Sequence, residues 1–316
     1  GESARNKDVF DQASQLSFPA FTTLGLGFDG NIQGIVASIN ARGDNLEATC
    51  AATAGCPAVA TIEGIVTIPS DYGIAIGSTT SGCATSDVIY TRSFVLQDAN
   101  SAVLVAYGME PPTQDVTQSS SAKYINNARS TNLAIFGDRL RITVNRVQKY
   151  GSGANINALV TDFDVSTAKV VSSRNSASYT NQYAAFSRAA DLYRVRRLEG
   201  YVTTSPSYVE CPSAGGTRQF QYNYQTGYKG VLCVGATSYA DAQTCTGGKV
   251  PFNFQLSHNL GAGTLSGFDT GNSFSYNLAL GARVRMTGPV YPPQYNQADS
   301  NLSLMLDQKY QVETLK

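Results

Sequence analysis

Histidine and tryptophan are nearly missing from this chain, which has one histidine, His258, and no tryptophan among its 316 residues. Ser-His-Asp or Cys-His catalysis would have to run through His258, and no Gly-x-Ser-x-Gly segment accompanies it. Walker, Rossmann and haem-attachment motifs are also absent, and without tryptophan a sugar platform is less expected. The sequence therefore predicts a protein that is not an enzyme and that needs no cofactor.

Charge is scarce as well. Charged residues make up 15% of the chain, against roughly 25% in a typical soluble protein, and the 23 basic residues balance 23 acidic ones. No net field therefore steers the protein toward nucleic acid or an anionic membrane. A weakly charged surface with 18 tyrosines suits an extracellular protein or one with extensive subunit contacts.

Long hydrophobic runs are missing too, since none approaches the roughly 18 residues of a membrane helix. We expect no membrane span. The sequence starts at Gly1 without a signal peptide, so a secreted protein would be present here as its processed, mature form.

The cysteines follow no Cys-x-x-Cys pattern, and with a single histidine they do not indicate a zinc site. Disulfides in an oxidising compartment are the better interpretation, and Cys50 with Cys56 is the easiest pair to close. Each half of the chain has three cysteines, so complete pairing needs a bridge between halves or between molecules. Two structural free thiols are the alternative. The disulfide candidates are Cys50, Cys56, Cys83, Cys211, Cys233 and Cys245.

What the chain does have is a duplicated pattern. A short segment with Glu-Gly at its centre occurs at residues 61–67 and again at 197–203, and a segment that alternates arginine with apolar residues follows at 136–144 and 280–288. Alternation with period two predicts strands whose apolar side chains are buried and whose arginines lie on the other face. The sequence thus predicts one β-unit present twice.

Each unit contains five predicted strands, with weak helical character at residues 121–132 between the third and fourth strands of the first unit. That is the order of an oligonucleotide/oligosaccharide-binding (OB) barrel. The predicted strands are 60–68, 92–98, 102–108, 138–147 and 155–164 in the first unit, and 198–204, 230–236, 252–257, 282–290 and 302–306 in the second.

Three motifs carry a family resemblance: residues 63–67 (EGIVT), 94–98 (FVLQD) and 137–140 (GDRL). They resemble the OB-fold module of secreted bacterial proteins, which often accompanies extracellular nuclease or phosphatase domains. The resemblance covers roughly residues 58–164 and, more weakly, 196–315. The second copy departs from it at residues 254–256 (FQL) and at Ala282, which replaces an aspartate. The resemblance implies a fold and little about function.

The predicted fold class is all-β, mainly strands with short connecting helices, in two tandem OB-like five-stranded barrels. Residues 1–57 form an N-terminal arm and leading segment, 58–171 the first barrel, 172–196 a linker with a short helix and 197–316 the second barrel. The linker helix is expected at about 181–194, from the spacing of Tyr183, Phe186, Ala190 and Tyr193. Residues 32–39 fit a strand slightly better than a short helix.

The N-terminal arm is polar with interspersed apolar residues, so it fits either a short helix or an arm that docks on another molecule. Docking would make the protein a secreted structural subunit that assembles with itself into a filament, tube or surface layer, by strand addition at open barrel edges. The assembly-arm candidates are Val9, Phe10, Leu16, Phe18 and Phe21.

The alternative hypothesis is a binding module for single-stranded nucleic acid or a glycan, which needs a basic groove with aromatic platforms. Against it, the net charge is zero, and paired arginines on an exposed strand more often meet carboxylates across the strands. The binding candidates are Arg139, Arg141 and Lys149, with Arg146 nearby, in the first unit and Arg283, Arg285, Tyr291 and Tyr295 in the second.

Two weaker features remain. Asp162 and Asp164 share one face of a predicted strand and are weak calcium candidates, although an exposed strand end explains them better. The sequon at Asn301 opens a predicted strand, where a structural asparagine is the default. No other metal site is predicted.

Overall fold

The computed structural model describes residues 16–21, 30–42, 46–47, 60–68, 75–77, 89–110, 137–150, 157–163, 167–209, 227–245, 248–255, 278–291, 302–306 and 311–316. Strands make up 55% of the structure and the helices are few and short, which confirms the all-β class. The first half contains α1 (Ile32–Arg42), β1 (Leu46–Glu47), β2 (Ala60–Ile68), β3 (Ala75–Gly77), β4 (Ile89–Gln97), β5 (Ala102–Glu110), β6 (Arg139–Tyr150), β7 (Asn157–Phe163) and β8 (Lys169–Ser172). The second contains β9 (Thr180–Gln182), α2 (Arg188–Asp191), β10 (Val195–Val209), β11 (Gly227–Val234), α3 (Tyr239–Gln243), β12 (Lys249–Gln255), β13 (Arg283–Tyr291), β14 (Ser303–Leu306) and β15 (Val312–Thr314).

The described residues fall into two compact units. One holds those up to residue 68 together with 92–108 and 137–178, and the other holds 75–77, 89–91, 109–110 and the described residues from Tyr179 onward.

The first barrel is a closed ring of five strands in the spatial order β2, β4, β5, β7, β6, completed by pairing of β6 with β2. β5 and β7 are parallel, whereas β2 is antiparallel to both β4 and β6. The interior is filled by apolar side chains from all five strands, and α1 adds three isoleucines from one face. This core includes Ile32, Ile35, Ile39, Ile62, Val66, Phe94, Val105, Leu140, Ile142 and Val160.

The second barrel repeats this plan with β10, β11, β12, β14 and β13, and it closes by pairing of β13 with β10. Here too the third and fifth strands, β12 and β14, are parallel. The prediction of two tandem five-stranded barrels is therefore confirmed, and both are compatible with OB-like modules. The core includes Leu198, Val202, Leu232, Val250, Phe252, Val284, Met286, Val290 and Leu304.

The two copies also agree in the register of the first and fourth strands. In each, the glutamate of Glu-Gly lies opposite the second arginine of the Arg-x-Arg segment, so both arginines and the glutamate share the outer face. The paired residues are Glu63 with Arg141, Gly64 with Leu140 and Ile65 with Arg139 in the first barrel, and Glu199 with Arg285, Gly200 with Val284 and Tyr201 with Arg283 in the second.

A left-handed glycine precedes the fourth strand in both barrels. Gly137 has a φ of 78° and donates its backbone N–H to the carbonyl of Val66 over 3.0 Å, and Gly281 has a φ of 83° and donates to Val202 over 2.8 Å. Only glycine adopts this backbone conformation at little cost. Glycine is therefore required at the same turn in both copies.

Residues 32–39 are helical, so the strand that the sequence slightly favoured is wrong. Asn31 caps α1 because its side-chain oxygen accepts the backbone N–H of Gly34 over 2.7 Å. Ile32, Ile35 and Ile39 then lie on one helical face and are completely buried. The apolar spacing fits a helix once the cap at Asn31 is recognised.

The linker helix predicted at residues 181–194 is also wrong. Residues 180–182 form β9, which pairs in parallel with β10, and only the single-turn helix α2 follows. Ser187 caps the start of α2, Leu192 caps its end, and Tyr193 follows with a φ of 62°, so the helix cannot extend further. Tyr183, which was expected on a buried face, is 73% exposed.

Cys233 and Cys245 form a disulfide with a Cα–Cα distance of 6.0 Å, which links β11 to the segment after α3. The expectation that cysteines pair is confirmed for these two. Cys50, Cys56, Cys83 and Cys211 lie outside the described residues, as do the predicted helix at 121–132 and the arm residues Val9 and Phe10.

Replacing Cys233 and Cys245 with serine should destabilise the second barrel by about 2–3 kcal/mol, because the bridge closes a loop with a sequence separation of 12 in the unfolded chain. Urea denaturation of the double variant and the wild type measures the difference. Reduction of the wild type should give the same shift for this transition. An unchanged midpoint in the double variant would show that the bridge contributes nothing to stability.

Candidate functional site

The outer face of the first barrel carries an ion cluster that we call the Glu63 face, formed by Glu63, Arg139 and Arg141. The Glu63 carboxylate accepts hydrogen bonds from Arg139 Nε and, over 2.8 Å, from Arg141 Nε. Its side chain is only 1% exposed. A carboxylate buried to this degree needs partners for its charge, and both guanidinium groups pair with it.

Residues 16–21, which we call the arm segment, lie over this cluster. The Phe18 ring is 4.6 Å from the guanidinium carbon of Arg139, and the Phe21 ring is 5.0 Å from that of Arg141. Arg139 Nη2 also donates to the carbonyl of Ser17 over 2.8 Å. Two cation–π contacts and one hydrogen bond thus hold the arm segment against the first barrel of its own chain.

The arm segment is tied down at its end as well. Phe21 and Gly30 form an isolated antiparallel bridge with two backbone hydrogen bonds of 2.9 Å. A Cβ on Gly30 would lie 2.2 Å from the Phe21 carbonyl oxygen, so this close approach requires glycine. Phe18 and Phe21, which the sequence assigned to an assembly arm, therefore contact the arginines that the sequence assigned to ligand binding.

Asp98 of the FVLQD motif has a structural role. Its carboxylate accepts backbone N–H groups of Asn100 and Ser101 at 2.9 and 2.7 Å, which forms the turn between β4 and β5. It also accepts the N–H of Gln33 at 3.3 Å and so connects this turn to the first turn of α1. The motif thus specifies a turn and its attachment to the helix.

The second barrel carries the corresponding cluster, the Glu199 face, formed by Glu199, Arg283, Arg285 and Glu313. Glu199 lies 3.6 Å from a guanidinium nitrogen of each arginine, and Arg285 Nη1 donates to Glu313 over 2.9 Å. These side chains are open to solvent, with Glu199 42%, Arg283 47% and Arg285 34% exposed. The same register therefore gives a buried glutamate in one barrel and an exposed glutamate in the other, whereas Arg141, at 38%, is as exposed as Arg285.

The two faces also differ in charge. An extra strand pairs with the arginine strand in each barrel, β8 with β6 and β15 with β13. This strand places Lys169 opposite Arg141 in the first barrel and Glu313 opposite Arg285 in the second. The glutamates therefore balance the arginines on the Glu199 face, whereas the Glu63 face has an excess of positive charge.

Aromatic and apolar side chains lie beside the Glu199 face. Tyr201, which is opposite Arg283 in the register, is half-buried, and its ring centroid is 6.4 Å from that of Tyr239. A Cβ on Gly281 would lie 3.5 Å from the Tyr239 ring, and the neighbouring Leu280 is 58% exposed. These residues were not among the sequence-predicted candidates, although Tyr201 directly follows the second Glu-Gly.

The remaining binding candidates do not join these clusters. Tyr291 is 3% exposed and packs edge-on against Tyr193 at 5.2 Å, so it is not the stacking platform that the sequence predicted. Lys149 is half-buried and Arg146 exposed, and both are on β6 beyond the Glu63 face. Tyr295, His258 and Asp164 lie outside the described residues, and Asp162 is opposite Arg146 in the register of β7 with β6.

The pKa values of two side chains, Lys229 and Asp241, are lowered. Burial lowers the pKa of Lys229 on β11. Hydrogen bonds from the side chains of Thr237 and Ser238 lower the pKa of Asp241 at the start of α3, with a Thr237–Asp241 distance of 2.6 Å. Asp241 stabilises the helix start, and neither group belongs to the Glu63 face or the Glu199 face.

In the ranges that the structure describes, no three residues among His, Cys, Asp and Glu are grouped so that they could hold a metal ion. Within the same ranges, no helix is long and apolar enough to cross a membrane.

The chain is an all-β protein of two tandem OB-like barrels with duplicated glutamate–arginine faces. No family model matches it, and no curated protein matches its sequence. Its likeness to OB folds accordingly depends on strand order and barrel closure, and a relation to secreted bacterial proteins stays a prediction.

Proposed function

We propose that this protein is a non-enzymatic structural subunit that assembles with itself, through its N-terminal arm, into an extracellular filament, tube or surface layer. The observation that carries the proposal is the docking of the arm segment. The arm segment belongs to no strand of either barrel. Its two phenylalanine rings and one backbone carbonyl nevertheless contact the arginines of the Glu63 face. A segment held this way can bind the same kind of surface on a neighbouring copy, as in domain swapping.

Other properties support assembly outside the cell. The Cys233–Cys245 disulfide suits an oxidising compartment. The low charge reduces repulsion between copies at high local concentration. The edge strand β8 is exposed along its whole length, with Val170 and Val171 accessible, and such edges pair readily with other chains.

A nucleic-acid or glycan module is favoured less by this geometry. Arg139 and Arg141 pair with Glu63 and each contacts a phenylalanine ring, and Arg283 and Arg285 face two carboxylates. Phosphate binding depends on cations that are free to replace counterions. The arginines on both faces are already neutralised wholly or in part by protein carboxylates.

The test is to measure the size of the full chain and of the F18A/F21A variant across a range of concentrations. Size-exclusion chromatography with light scattering and negative-stain electron microscopy should show regular polymers of the wild type, and the variant should stay monomeric with an unchanged circular dichroism spectrum. Tyr183→Ala is the matched control, since it removes an exposed aromatic ring outside both faces and should assemble normally. A wild type that stays monomeric at every concentration, or a variant that polymerises normally, would overturn the proposal.

A further inference from the structure

We propose that the Glu199 face of the second barrel is the receptor for the arm segment of a second copy. This inference rests on the proposed assembly function and identifies the surface where subunits join. It begins from the identical construction of the two faces, in which a glutamate on the first strand is opposite the second arginine on the fourth.

The two faces differ in exposure at the glutamate and at the first arginine. Glu63 is 1% and Arg139 17% exposed, against 42% for Glu199 and 47% for Arg283, while the second arginines are alike. On the Glu63 face, the arm segment lies over both arginines and the carboxylate below is buried. On the Glu199 face, no aromatic ring from the described part of the chain lies over Arg283 or Arg285, and all three charged groups of the common motif are accessible. The second barrel thus presents the same arginine pair without a covering segment.

The chemistry of the open face fits an uncharged aromatic segment. Residues 16–21 (LSFPAF) carry no charge, and they place two rings three residues apart. Arginines two residues apart on a strand are separated by roughly 7 Å, and each offers a guanidinium plane on which a ring can stack. Tyr201, Tyr239 and the exposed Leu280 add apolar surface at the edge.

The same charges argue against a polyanionic occupant. Glu199 and Glu313 are both within ion-pair distance of the arginines, so a phosphodiester bound there would face two carboxylates. An uncharged peptide segment meets no such repulsion. The arm segment of a second copy is therefore the occupant that the face favours.

This arrangement determines how the copies are connected. Each copy has one arm segment, which leaves its own Glu63 face when it is donated, and one open Glu199 face to receive the arm of another copy. Contacts between unlike surfaces are heterologous, and they generate an open filament unless the rotation between neighbours closes a ring. A tube or filament follows directly from such contacts.

The first experiment compares the full-chain R283Q/R285Q variant with the wild type by light scattering and electron microscopy. Arg283 is exposed and Arg285 only half-buried, so the variant should keep a melting temperature close to that of the wild type and yet fail to polymerise at concentrations at least tenfold above the wild-type threshold. The control K249Q/K316Q removes the same two charges from exposed positions of the second unit and should polymerise normally.

The decisive step mixes two variants that are each monomeric. F18A/F21A has an intact receptor and a defective arm, and R283Q/R285Q has the reverse, so an equimolar mixture should form dimers and stop there. Normal polymers of R283Q/R285Q, or a mixture without dimers, would show that the Glu199 face is not the receptor. The proposal of arm-dependent assembly would not be affected by that result. Normal polymers of F18A/F21A would instead refute the assembly function. Binding of oligo(dT) by monomeric wild type that R283Q/R285Q loses would assign the face to nucleic acid.

Discussion

Replacing both Arg139 and Arg141 with alanine is expected to destabilise the first barrel by about 3–5 kcal/mol, because it leaves the Glu63 carboxylate buried without a partner. The change also removes the surfaces on which Phe18 and Phe21 stack, so the arm segment would lose its attachment. Urea denaturation, followed by circular dichroism, measures the shift in the transition of the first barrel.

The second barrel supplies the matched control. R283A/R285A removes the same residue types in the same register, but Glu199 is solvated there, so the cost should be about 0–1 kcal/mol. Adding E63Q to R139A/R141A should recover part of the lost stability, because the amide is far less costly to bury than an unpaired carboxylate. Equal losses in the two barrels, or no recovery with E63Q, would contradict the role assigned to burial.

Substitution of Gly200 by alanine should destabilise the second barrel by about 3 kcal/mol, at the upper end of ordinary overpacking. A Cβ at this position would lie 2.0 Å from the carbonyl oxygen of Cys233 and 3.0 Å from the Cα of Val234. Both are backbone atoms of β11, and Cys233 is further restrained by its disulfide. The strand itself would have to move, and thermal denaturation should report a clear loss.

Gly64 occupies the same place in the first Glu-Gly pair and should tolerate alanine better. Its Cβ would lie 2.8 Å from the Ile32 Cδ1 atom, which can rotate away, and 3.1 Å from backbone atoms of Gln97. A loss of about 1–2 kcal/mol is expected for Gly64→Ala. If Gly64→Ala destabilised the protein more than Gly200→Ala, the close approach of neighbouring strands would not be the reason that this motif requires glycine.

The barrels could be predicted because their signal is local. Period-two alternation places Leu140 and Ile142 inside the barrel and Arg139 and Arg141 outside it, regardless of which strands are the neighbours. The structure confirms this placement. The sequence also predicted that arginines would pair with carboxylates across strands, since glutamate and arginine recur at matching places in both halves. Their register, however, depends on which strands become neighbours.

The docking of the arm segment on the Glu63 face could not be predicted, because it joins Arg139 to a segment more than a hundred residues away in sequence. The shared Glu-Gly and Arg-x-Arg motifs gave no sign that the glutamate would be buried in one barrel and exposed in the other. Tyr291 was wrong as a stacking platform for a similar reason, because it is buried against Tyr193. Tyr193 has a φ of 62°, and no sequence pattern predicts that backbone conformation. The helix α1 was not predicted because an asparagine such as Asn31 fits a turn as well as a helix cap, so the sequence alone does not indicate where a helix begins.

The shared register has a consequence for folding. Glu63 and Arg141 are 78 residues apart in sequence, whereas Arg141 and Glu199, which belong to different barrels, are separated by only 58. The entropic cost of closing the two loops differs by only a few tenths of a kcal/mol, and the shorter loop, which joins Arg141 to Glu199 of the other barrel, is the less costly one. Chain entropy therefore cannot direct the arginine strand to its own barrel during folding, and mispaired species are the characteristic hazard of such repeats. That choice must come from residues that differ between the copies, such as buried Ile65 against half-exposed Tyr201.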